Sequence, residues 1–499
     1  MGLRRRLFSA VLVVILALGA FHIGRSGVMI SDSTAESIFR QKESIYVWYT
    51  DETLSDYINS AAVAYNDTKE DIRVVPVLTS ANDYLEAINE ASLTGESVPD
   101  VYVLSHDSLE KAYLSGLATQ IKDYDSICNN INYPQVALDA VTYHDKLVAY
   151  PFYYETSVFL YNKTYLAEHV KKQLEEANES DTESTSETTT EGEAVEEEVV
   201  DNSAEIAAGV EALLPATMED ITEFGNDYDP PSQVQAIFKW DVADIFYNYF
   251  FIGKHMILGG DTGDNSANID IYNLETMQCL LTFQNLNEFF SIDASDVSYQ
   301  EVVQDFIDGK IVYTVVTSDI LKTLEEAKTP DENGEYFDFD YGFSVVPNPS
   351  ENLAGRALSM TGSVVVNGYG DNIKEANEFA KFLTYDYSDD LYDRTGKLPA
   401  RLTGYVEGSG FSVFAKAYEQ SIPMPKMVEL SNFWMQLEIT MRDIWEGAEI
   451  NSSVKLLSER MMTQVTGLPY VEEKIEWDIE EDPEFTDGEI IEENEDTEE

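Results

Sequence analysis

IYVWYTDETLSDYINSAAVAYNDTKEDIRVVPVLTSANDYLEAINEAS, residues Ile45–Ser92, decides the fold. In this stretch short apolar runs alternate with amphipathic segments, and DVYVL at 100–104 continues the series. The pattern predicts helices over 54–66 and 83–92 that connect three strands. Strands separated by helices are typical of a parallel sheet in an α/β fold, in which ligand groups lie on the loops after the strands. Those loops read YTDE, LTSAND and LSHDS, and each carries an acid.

Composition limits the class of protein. The chain has 499 residues, 44% of them apolar, which is enough for two sizeable cores. Its net charge of -62 argues against nucleic acid as a partner, because the phosphates would be repelled. The sequence contains no P-loop, no zinc-protease histidine spacing and no G-x-S-x-G elbow. We therefore expect a protein that is not an enzyme and that needs no cofactor.

The N-terminus carries an export signal. MGLRRRLFSAVLVVILALGAFHIGR, residues 1–25, has three arginines followed by an apolar run near the minimum length for crossing a bilayer. The arginines place the start in the cytoplasm, and no lipid-accepting cysteine follows the apolar run. We expect an uncleaved anchor at 1–25 and a stalk at 26–44, with the rest of the chain on the extracellular face of the plasma membrane.

Two segments are strongly acidic. Residues 174–205 are rich in Glu, Thr and Ser and nearly free of large apolar side chains, whereas residues 471–499 also include Ile, Trp and Phe. A segment with so few apolar side chains does not offset the entropy lost on ordering. We expect a disordered insertion at 174–205 and a solvated tail at 471–499, for which a docking role stays open.

The chain has two cysteines, Cys128 and Cys279, which lie far apart in the sequence. A disulfide framework would show more cysteines at shorter spacings. We expect two unlinked thiols that pack as small apolar side chains.

A second stretch, LVAYPFYYETSVFLYNKTYL at Leu147–Leu166, places one acid among aromatic rings. At the period of a strand, Tyr153 and Glu155 share one face, so that face carries an acid beside a ring. The residues alone are equally consistent with a half-buried strand whose tyrosine hydroxyls reach water.

Five phrases occur in the order in which one protein family has them. They are VPDVYVLSHDSLEKAYLSGLATQI, KLVAYPFYYETSVFLYNKTYL, LPATMEDITEF, FIDGKIVYTVV and MPKMVELSNFWMQLEITMRDIWEG. Together they resemble the extracellular solute-binding proteins of ABC importers, most closely the maltose-type, sugar-binding branch. The resemblance covers about residues 45–470.

The resemblance implies a periplasmic-binding-protein-like fold, in which two α/β lobes joined by a hinge close over a ligand. The first lobe would comprise 45–155 and about 343–400, and the second 156–342 and about 401–470. The implied function is that of a monomeric extracellular component of an ABC transporter. It would capture a mono- or oligosaccharide and deliver it to permease subunits in the membrane.

The resemblance also implies which residues bind the solute. Carboxylates accept hydrogen bonds from sugar hydroxyls, and aromatic rings pack on the C–H faces of pyranoses. The candidates are Trp48, Glu52, Asp107, Tyr153 and Glu155 in the first lobe and Trp240, Tyr299 and Trp434 in the second. Asp51 shares the first loop, and Asn162 is expected to cap the helix after the crossover. Some have structural alternatives, because Trp48 also fits a core strand and Asp107 also fits a helix cap.

Departures from the maltose branch keep other ligands open. Leu104 and Ser108 stand where that branch has an aromatic residue and an arginine, and Asp319 replaces a stacking tryptophan. Maltose itself is therefore not the expected ligand. A cleft lined by acids and rings would also hold a polyamine or another cationic solute.

Two further alternatives belong to different classes of function. Metal capture by His106, His144 and Glu155 is the weaker one, because nothing in the sequence fixes them in ligand geometry. The other is a membrane-anchored ligand sensor or scaffold that has kept the binding fold, since a fold alone does not determine function.

Overall fold

The computed structural model describes residues 42–95, 98–122, 127–185, 202–330 and 337–477. Within these ranges the chain forms an α/β fold with a seven-stranded sheet, a four-stranded sheet and two two-stranded ribbons.

The elements of these ranges are numbered in chain order. The strands are β1 Glu43–Tyr49, β2 Ile72–Leu78, β3 Val101–Ser105, β4 Thr142–Tyr143, β5 Lys146–Leu147, β6 Tyr150–Thr156, β7 Val158–Asn162, β8 Ala236–Phe238, β9 Ile257–Leu258, β10 Ile269–Asp270, β11 Ile311–Val316, β12 Tyr341–Ser344, β13 Leu358–Val366, β14 Leu398–Pro399 and β15 Ile422–Pro423. The α-helices are α1 Ser55–Thr68, α2 Tyr84–Thr94, α3 Leu109–Leu114, α4 Gln135–Ala140, α5 Lys163–Thr185, α6 Ser203–Ala212, α7 Met218–Asp227, α8 Ile245–Asn248, α9 Leu274–Phe290, α10 Tyr299–Ile307, α11 Ile320–Ala327, α12 Ile373–Lys381, α13 Leu391–Thr395, α14 Gly410–Gln420, α15 Phe433–Trp445 and α16 Ile450–Thr466.

The larger sheet has the order β14-β6-β13-β3-β1-β2, with β15 beside β13. β1 pairs in parallel with β2 and with β3, and the helices α1 and α2 make the connections. The series of three strands and two helices predicted from Ile45–Ser92 and 100–104 is therefore confirmed. β13 returns antiparallel to both β3 and β6, which makes the sheet mixed.

The smaller sheet has the order β12-β7-β11-β8. β7 follows β6 directly, and Ser157 is the single residue between the strands of the two sheets. The chain returns to the larger sheet through residues 345–357, between β12 and β13. At the far end of β7, Asn162 accepts a hydrogen bond from the backbone N–H of Tyr165 at 3.1 Å. The predicted cap of the helix after the crossover is thus confirmed.

Separate apolar cores stabilise the two sheets. The larger sheet buries one apolar cluster on each of its faces. The first cluster includes Tyr57 and Phe152, and the second includes Tyr102 and Leu109. The smaller sheet packs with α9, α15 and α16 into a third cluster. A fourth cluster contains residues of both sheets. In it the ring of Tyr154 stacks on that of Tyr418 at 4.0 Å between centroids. This ring contact joins β6 of the larger sheet to α14.

The prediction of disorder for 174–205 is wrong at both ends of that segment. α5 extends to Thr185 and α6 begins at Ser203, and residues 186–201 lie outside the described part of the chain. The two helices approach closely, since a Cβ on Gly209 of α6 would lie 2.5 Å from the side chain of Val170 on α5. Leu174 and Ile206 also pack against the core of the smaller sheet. The burial of these apolar side chains offsets the conformational entropy that the helices lose on ordering, which the composition of the segment did not predict.

The start of the acidic tail is also ordered, contrary to the prediction for 471–499. Ser458 on α16 donates to Glu472 at 2.6 Å, and the backbone N–H of Ile475 donates to the hydroxyl of Tyr272 at 2.9 Å. Ile475 and Trp477 pack against the core of the smaller sheet. The tail therefore docks as far as Trp477, and residues 478–499 lie outside the described part.

Two other predictions concern the cysteines and the anchor. No disulfide joins Cys128 to Cys279, and Cys279 is buried on α9, as expected for unlinked thiols. In the described ranges no helix combines the length and apolar character required to cross a bilayer. The anchor predicted at 1–25 and nearly all of the stalk at 26–44 fall outside those ranges.

Candidate functional site

The loop after β1 brings a carboxylate to the carboxyl end of the larger sheet. Asp51 accepts hydrogen bonds from the backbone N–H and the hydroxyl of Thr53, at 2.9 and 2.7 Å. These bonds cap the short 3-10 helix Glu52–Leu54 and fix the direction of the Asp51 side chain. One carboxylate oxygen, Oδ2, is left to face the neighbouring strands.

Lys397 immediately precedes β14. Its ammonium group lies close to Tyr153 and Glu155, which were predicted as site residues, and to Asp51 in the loop after β1. Its Nζ lies 3.0 Å from Oδ2 of Asp51 and 3.2 Å from Oε1 of Glu155. The same nitrogen lies 4.6 Å from the centre of the Tyr153 ring, which is within cation–π range. Side chains from three distant parts of the sequence therefore meet, and we call Asp51, Tyr153, Glu155 and Lys397 the lysine cluster.

The charges of the lysine cluster support one another. Burial by itself lowers the pKa of Lys397, but the nearby Tyr153, Glu155 and Asp51 outweigh it and hold the pKa above its usual value. For Asp51, burial opposes ionisation, yet the bonds from Thr53 and the charge of Lys397 lower the pKa of the carboxyl group. Burial raises the pKa of Tyr153 to about 12, so its hydroxyl stays protonated at neutral pH. The cluster thus offers two carboxylates, an ammonium group and a phenol to a polar ligand.

The Tyr153 ring can take its observed position only because residue 362 is a glycine. The two residues are paired across β13 and β6, and a Cβ on Gly362 would lie 2.3 Å from the Cε1 and Cζ atoms of Tyr153. No side chain at position 362 is compatible with this ring position, because real Cβ contacts are never so short. The glycine therefore allows the ring to lie across the strand beneath Lys397.

We expect Gly362→Ala to displace the Tyr153 ring and to disturb the lysine cluster. The added methyl group should lower the free energy of unfolding by about 1–3 kcal/mol, as overpacking does in a filled site. Gly404→Ala is the matched control, since a Cβ there meets nothing within 4 Å and should cost little. Chemical denaturation of the two variants checks this, and equal stabilities would contradict the packing described for Gly362.

A second group lies at the carboxyl end of β11. The ring of Tyr299 stacks on that of Tyr247 at 4.7 Å between centroids and 17° between planes. Its hydroxyl donates to Oδ1 of Asp319 at 3.0 Å and accepts from the backbone N–H of Thr317 at 3.3 Å. The structure therefore joins Tyr299, a predicted site residue, to Asp319, whose acid departs from the maltose branch.

Trp434 lies near the start of α15 and is half-buried. Its ring lies 5.6 Å from that of Tyr249, so one part of the indole packs on the core of the smaller sheet while another part stays exposed. One turn further along the helix, burial and then the charges of Asp244 and Asp241 raise the pKa of Glu438. An indole with an accessible part beside a carboxyl group is suited to a sugar ring.

Trp240 is not available to a ligand. Its side chain is fully buried, its ring stacks on Phe238 at 4.3 Å, and its Nε1 donates to the side chain of Asn248 at 2.8 Å. We therefore leave Trp240 out of the site and assign it to the core of the smaller sheet.

The remaining candidates flank the larger sheet. Trp48 on β1 is half-buried and packs on a core cluster, which matches its structural alternative. Glu52 is exposed at the start of its 3-10 helix. Asp107 follows β3, and its Oδ1 is buried without a hydrogen-bond partner among the described residues. A buried carboxylate oxygen in this state is costly unless a ligand or water hydrogen-bonds to it, so Asp107 stays a candidate.

The metal alternative fails because His106 has no nitrogen to offer. Its Nε2 donates to the carbonyl of Met424 at 2.8 Å, and its Nδ1 accepts from the backbone N–H of Thr361 at 3.0 Å. Burial, and next the charge of Lys426, lower the pKa of His106 to about 3. Among the residues that the structure describes, no three His, Cys, Asp or Glu side chains are placed to hold a metal ion.

Sequence reasoning missed Lys397 altogether. It stands in TGKLPAR, a phrase that matches none of the five quoted above, and its partners Asp51 and Glu155 lie more than two hundred residues away. One signal was present, namely a lysine immediately before the apolar pair Leu398–Pro399 in a strongly acidic chain. Such a lysine is partly buried with its stem on apolar surface, and a buried ammonium group needs anionic partners.

Comparisons with known proteins identify the family. The model of the bacterial extracellular solute-binding protein family matches residues 60–405. No curated protein sequence is significantly similar to the chain.

Among solved structures, a cyclo/maltodextrin-binding protein complexed with maltotetraose has a TM-score of 0.65 and 17% identity, with 85% of this chain and 97% of that chain covered. An extracellular solute-binding protein from Staphylococcus aureus in complex with maltose has a TM-score of 0.63 and 17% identity, with 86% and 98% covered. The maltose-binding periplasmic protein MalE from Listeria monocytogenes, also in complex with maltose, has a TM-score of 0.62 and 20% identity, with 86% and 100% covered. At these identities the likeness shows the fold, and the family model covers most of the chain. The chain therefore belongs to the family of bacterial extracellular solute-binding proteins.

Proposed function

We propose that this chain is the substrate-binding component of an ABC transporter and that it captures a neutral mono- or oligosaccharide. The observation that carries the proposal is the lysine cluster, in which Lys397 bridges Asp51 and Glu155 beside the Tyr153 ring. Carboxylates, an ammonium group and a phenol supply both acceptors and donors for sugar hydroxyls. The solved structures with this fold that bind maltose or maltotetraose support the same class of ligand.

The ligand would bind between two lobes, each built on one sheet. In this proposal the first lobe comprises 45–155 and about 343–400, and the second comprises 156–342 and about 401–470. With these bounds the chain crosses between the lobes three times, and two of the crossings, at Ser157 and at 345–357, are thin connections between the sheets that support a hinge there. β15 pairs with β13 of the larger sheet, so the second lobe would also contact the first through that strand.

The lysine cluster favours a neutral sugar over a polyamine. A polyamine would need free carboxylates, but the ammonium group of Lys397 already lies between those of Asp51 and Glu155. The side chain of Lys397 is only 17% exposed, so the cation is built into the site. A polyamine ammonium group would have to displace Lys397 from between the two carboxylates to form the same ion pairs.

The rest of the proposal concerns location and partners. The protein would be held at the extracellular face by residues 1–25 and would deliver its ligand to permease subunits in the membrane. The arginines before the apolar run and the lack of a lipid-accepting cysteine support the anchor. A mature protein whose N-terminal sequence starts near Ala20 would contradict it.

A thermal-shift screen with mono- and oligosaccharides in one set and polyamines in another tests the proposed ligand class. A ligand that binds only the folded protein raises the melting temperature by mass action. We expect at least one sugar to raise it and polyamines to leave it unchanged. Stabilisation by polyamines alone would overturn the proposal.

Trp434 should stack on the bound sugar. We expect Trp434→Ala to weaken binding of the sugar found in the screen by about 1–3 kcal/mol, because the stacking surface is lost while a half-buried ring supports little of the core. Met435→Ala is the matched control, since Met435 is 60% exposed on the same helix. Calorimetric titration of both variants measures this, and an unchanged affinity in Trp434→Ala would remove the residue from the site.

A further inference from the structure

A cavity of about 370 Å³ lies at the junction between the two sheets and is lined by none of the residues of the lysine cluster. Its wall is formed by Ser157, which links β6 to β7, by parts of the second connection at 345–348 and 355–357, and by α14. We call it the junction cavity. An occupant would contact both connections between the sheets.

The junction cavity is lined by two basic side chains, although the chain as a whole has 93 acidic and 31 basic residues. Arg356 donates from Nε to the carbonyl of Gln420 at 3.1 Å and from Nη2 to that of Ser421 at 2.9 Å. These bonds hold the guanidinium group in one orientation and leave Nη1 free of them. Lys416 is exposed on α14, and no ion pair to either basic residue occurs among the described residues. The cavity therefore carries two positive charges that make no ion-pair contact among the described residues, although the charge of Arg356 also acts on the carboxyl group of Asp139.

Ser157 provides an independent sign of a ligand. It lines the junction cavity and is fully buried, and its Oγ has no hydrogen-bond partner among the described residues. A buried hydroxyl without a partner costs free energy, and a valine or alanine would serve a purely structural role in a strand connection at lower cost. A hydroxyl together with guanidinium and ammonium groups is the donor set that binds phosphates and carboxylates.

We propose that the junction cavity binds the oxyanion group, phosphate or carboxylate, of a small solute, through Arg356, Lys416 and Ser157. The cavity shares no lining residue with the lysine cluster, and the proposal does not rest on the proposed sugar-binding function. The volume of the cavity limits the solute to a small one, since ligand pockets start at about 300 Å³.

Calorimetric titration of the full chain with sodium phosphate, and separately with sodium acetate, tests the proposal. Ionic strength is held at about 0.15 M so that general repulsion from the acidic surface is screened equally in every titration. We expect saturable binding at one site by at least one of the two anions, and their difference shows whether the group is phosphate or carboxylate. Failure of both anions to bind would overturn the proposal.

Matched variants place the anion in the junction cavity. Lys416→Met should weaken binding about tenfold or more, because a charge-assisted hydrogen bond is lost. Lys163→Met removes another exposed lysine that does not line the cavity and should leave the affinity unchanged. Ser157→Ala should also weaken binding, while its stability should equal or exceed that of the wild type because the hydroxyl it removes has no partner. Equal affinity in the wild type and in Lys416→Met would overturn the assignment.

Discussion

Replacing Lys397 with methionine should weaken sugar binding on the order of 2–3 kcal/mol, roughly 30- to 150-fold in affinity. The carboxylate oxygens of Asp51 and Glu155 both contact Nζ, at 3.0 and 3.2 Å, so they are at most about 6 Å apart. Without the ammonium group these like charges repel, and their side chains should turn toward solvent. The variant then loses a donor to the sugar and also the arrangement of its two acceptors.

Lys69→Met is the control for Lys397→Met. Lys69 also forms an ion pair, with Glu378 at 3.0 Å, but its side chain is 37% exposed and lies outside the lysine cluster. Surface pairs of this kind contribute little, so affinity and stability should barely change. Calorimetry on the two variants gives the comparison, and wild-type affinity in Lys397→Met would show that the lysine cluster is not the sugar site.

The second large effect is a loss of folding stability as the pH falls. His106 is buried, and its two ring nitrogens are used by the backbone at Thr361 and Met424, so burial lowers its pKa to about 3. The usual histidine pKa is about 6.5, so the unfolded chain binds the proton first as the pH falls. The stability that His106 contributes is therefore complete above about pH 6.5 and is lost progressively between pH 6.5 and 3. At pH 5 the loss from this residue should reach about 2 kcal/mol.

Two measurements isolate His106 from the many carboxylates. The ring resonances of His106 should not titrate between pH 8 and 4 in NMR spectra. Between pH 7 and pH 5, the free energy of unfolding measured by denaturation should fall by about 2 kcal/mol less in His106→Gln than in the wild type. Gly404→Ala, which removes no titratable group and meets nothing within 4 Å, should keep the wild-type pH dependence. An NMR midpoint near 6.5 for His106 would contradict its burial as a neutral donor and acceptor.

Local patterns were sufficient for three strands of the larger sheet and their two connecting helices, and insufficient for the contacts made at its end. The alternation of apolar runs and helical segments was enough to predict β1, α1, β2, α2 and β3, because each of these elements depends on residues near it in sequence. Lys397 depends on Asp51 and Glu155, which only the order of strands in the folded sheet brings near. No period or spacing in the sequence carries that information.

The errors have a common cause. Trp240 was assigned to the site because the resemblance implied a sugar-binding ring there, yet the sequence does not show whether such a ring faces a ligand or the core. Residues 174–205 were expected to be disordered from their composition, but helices continue to Thr185 and begin again at Ser203, and Leu174 and Ile206 on these helices pack against a core that distant residues build. In both cases tertiary packing decided between local alternatives of similar free energy.

The central claim is that a neutral sugar binds at a site whose two carboxylates, Asp51 and Glu155, are already bridged by Lys397. Calorimetric titration of the identified ligand at about 0.02 and 0.5 M salt tests it most directly, since salt screens attraction between charges but not the contacts of a neutral ligand. The account predicts a dissociation constant that changes less than about twofold across this range. A constant that rises steeply with salt would mean that the carboxylates hold a cation, and it would contradict the assignment of Asp51, Glu155 and Lys397 to a sugar.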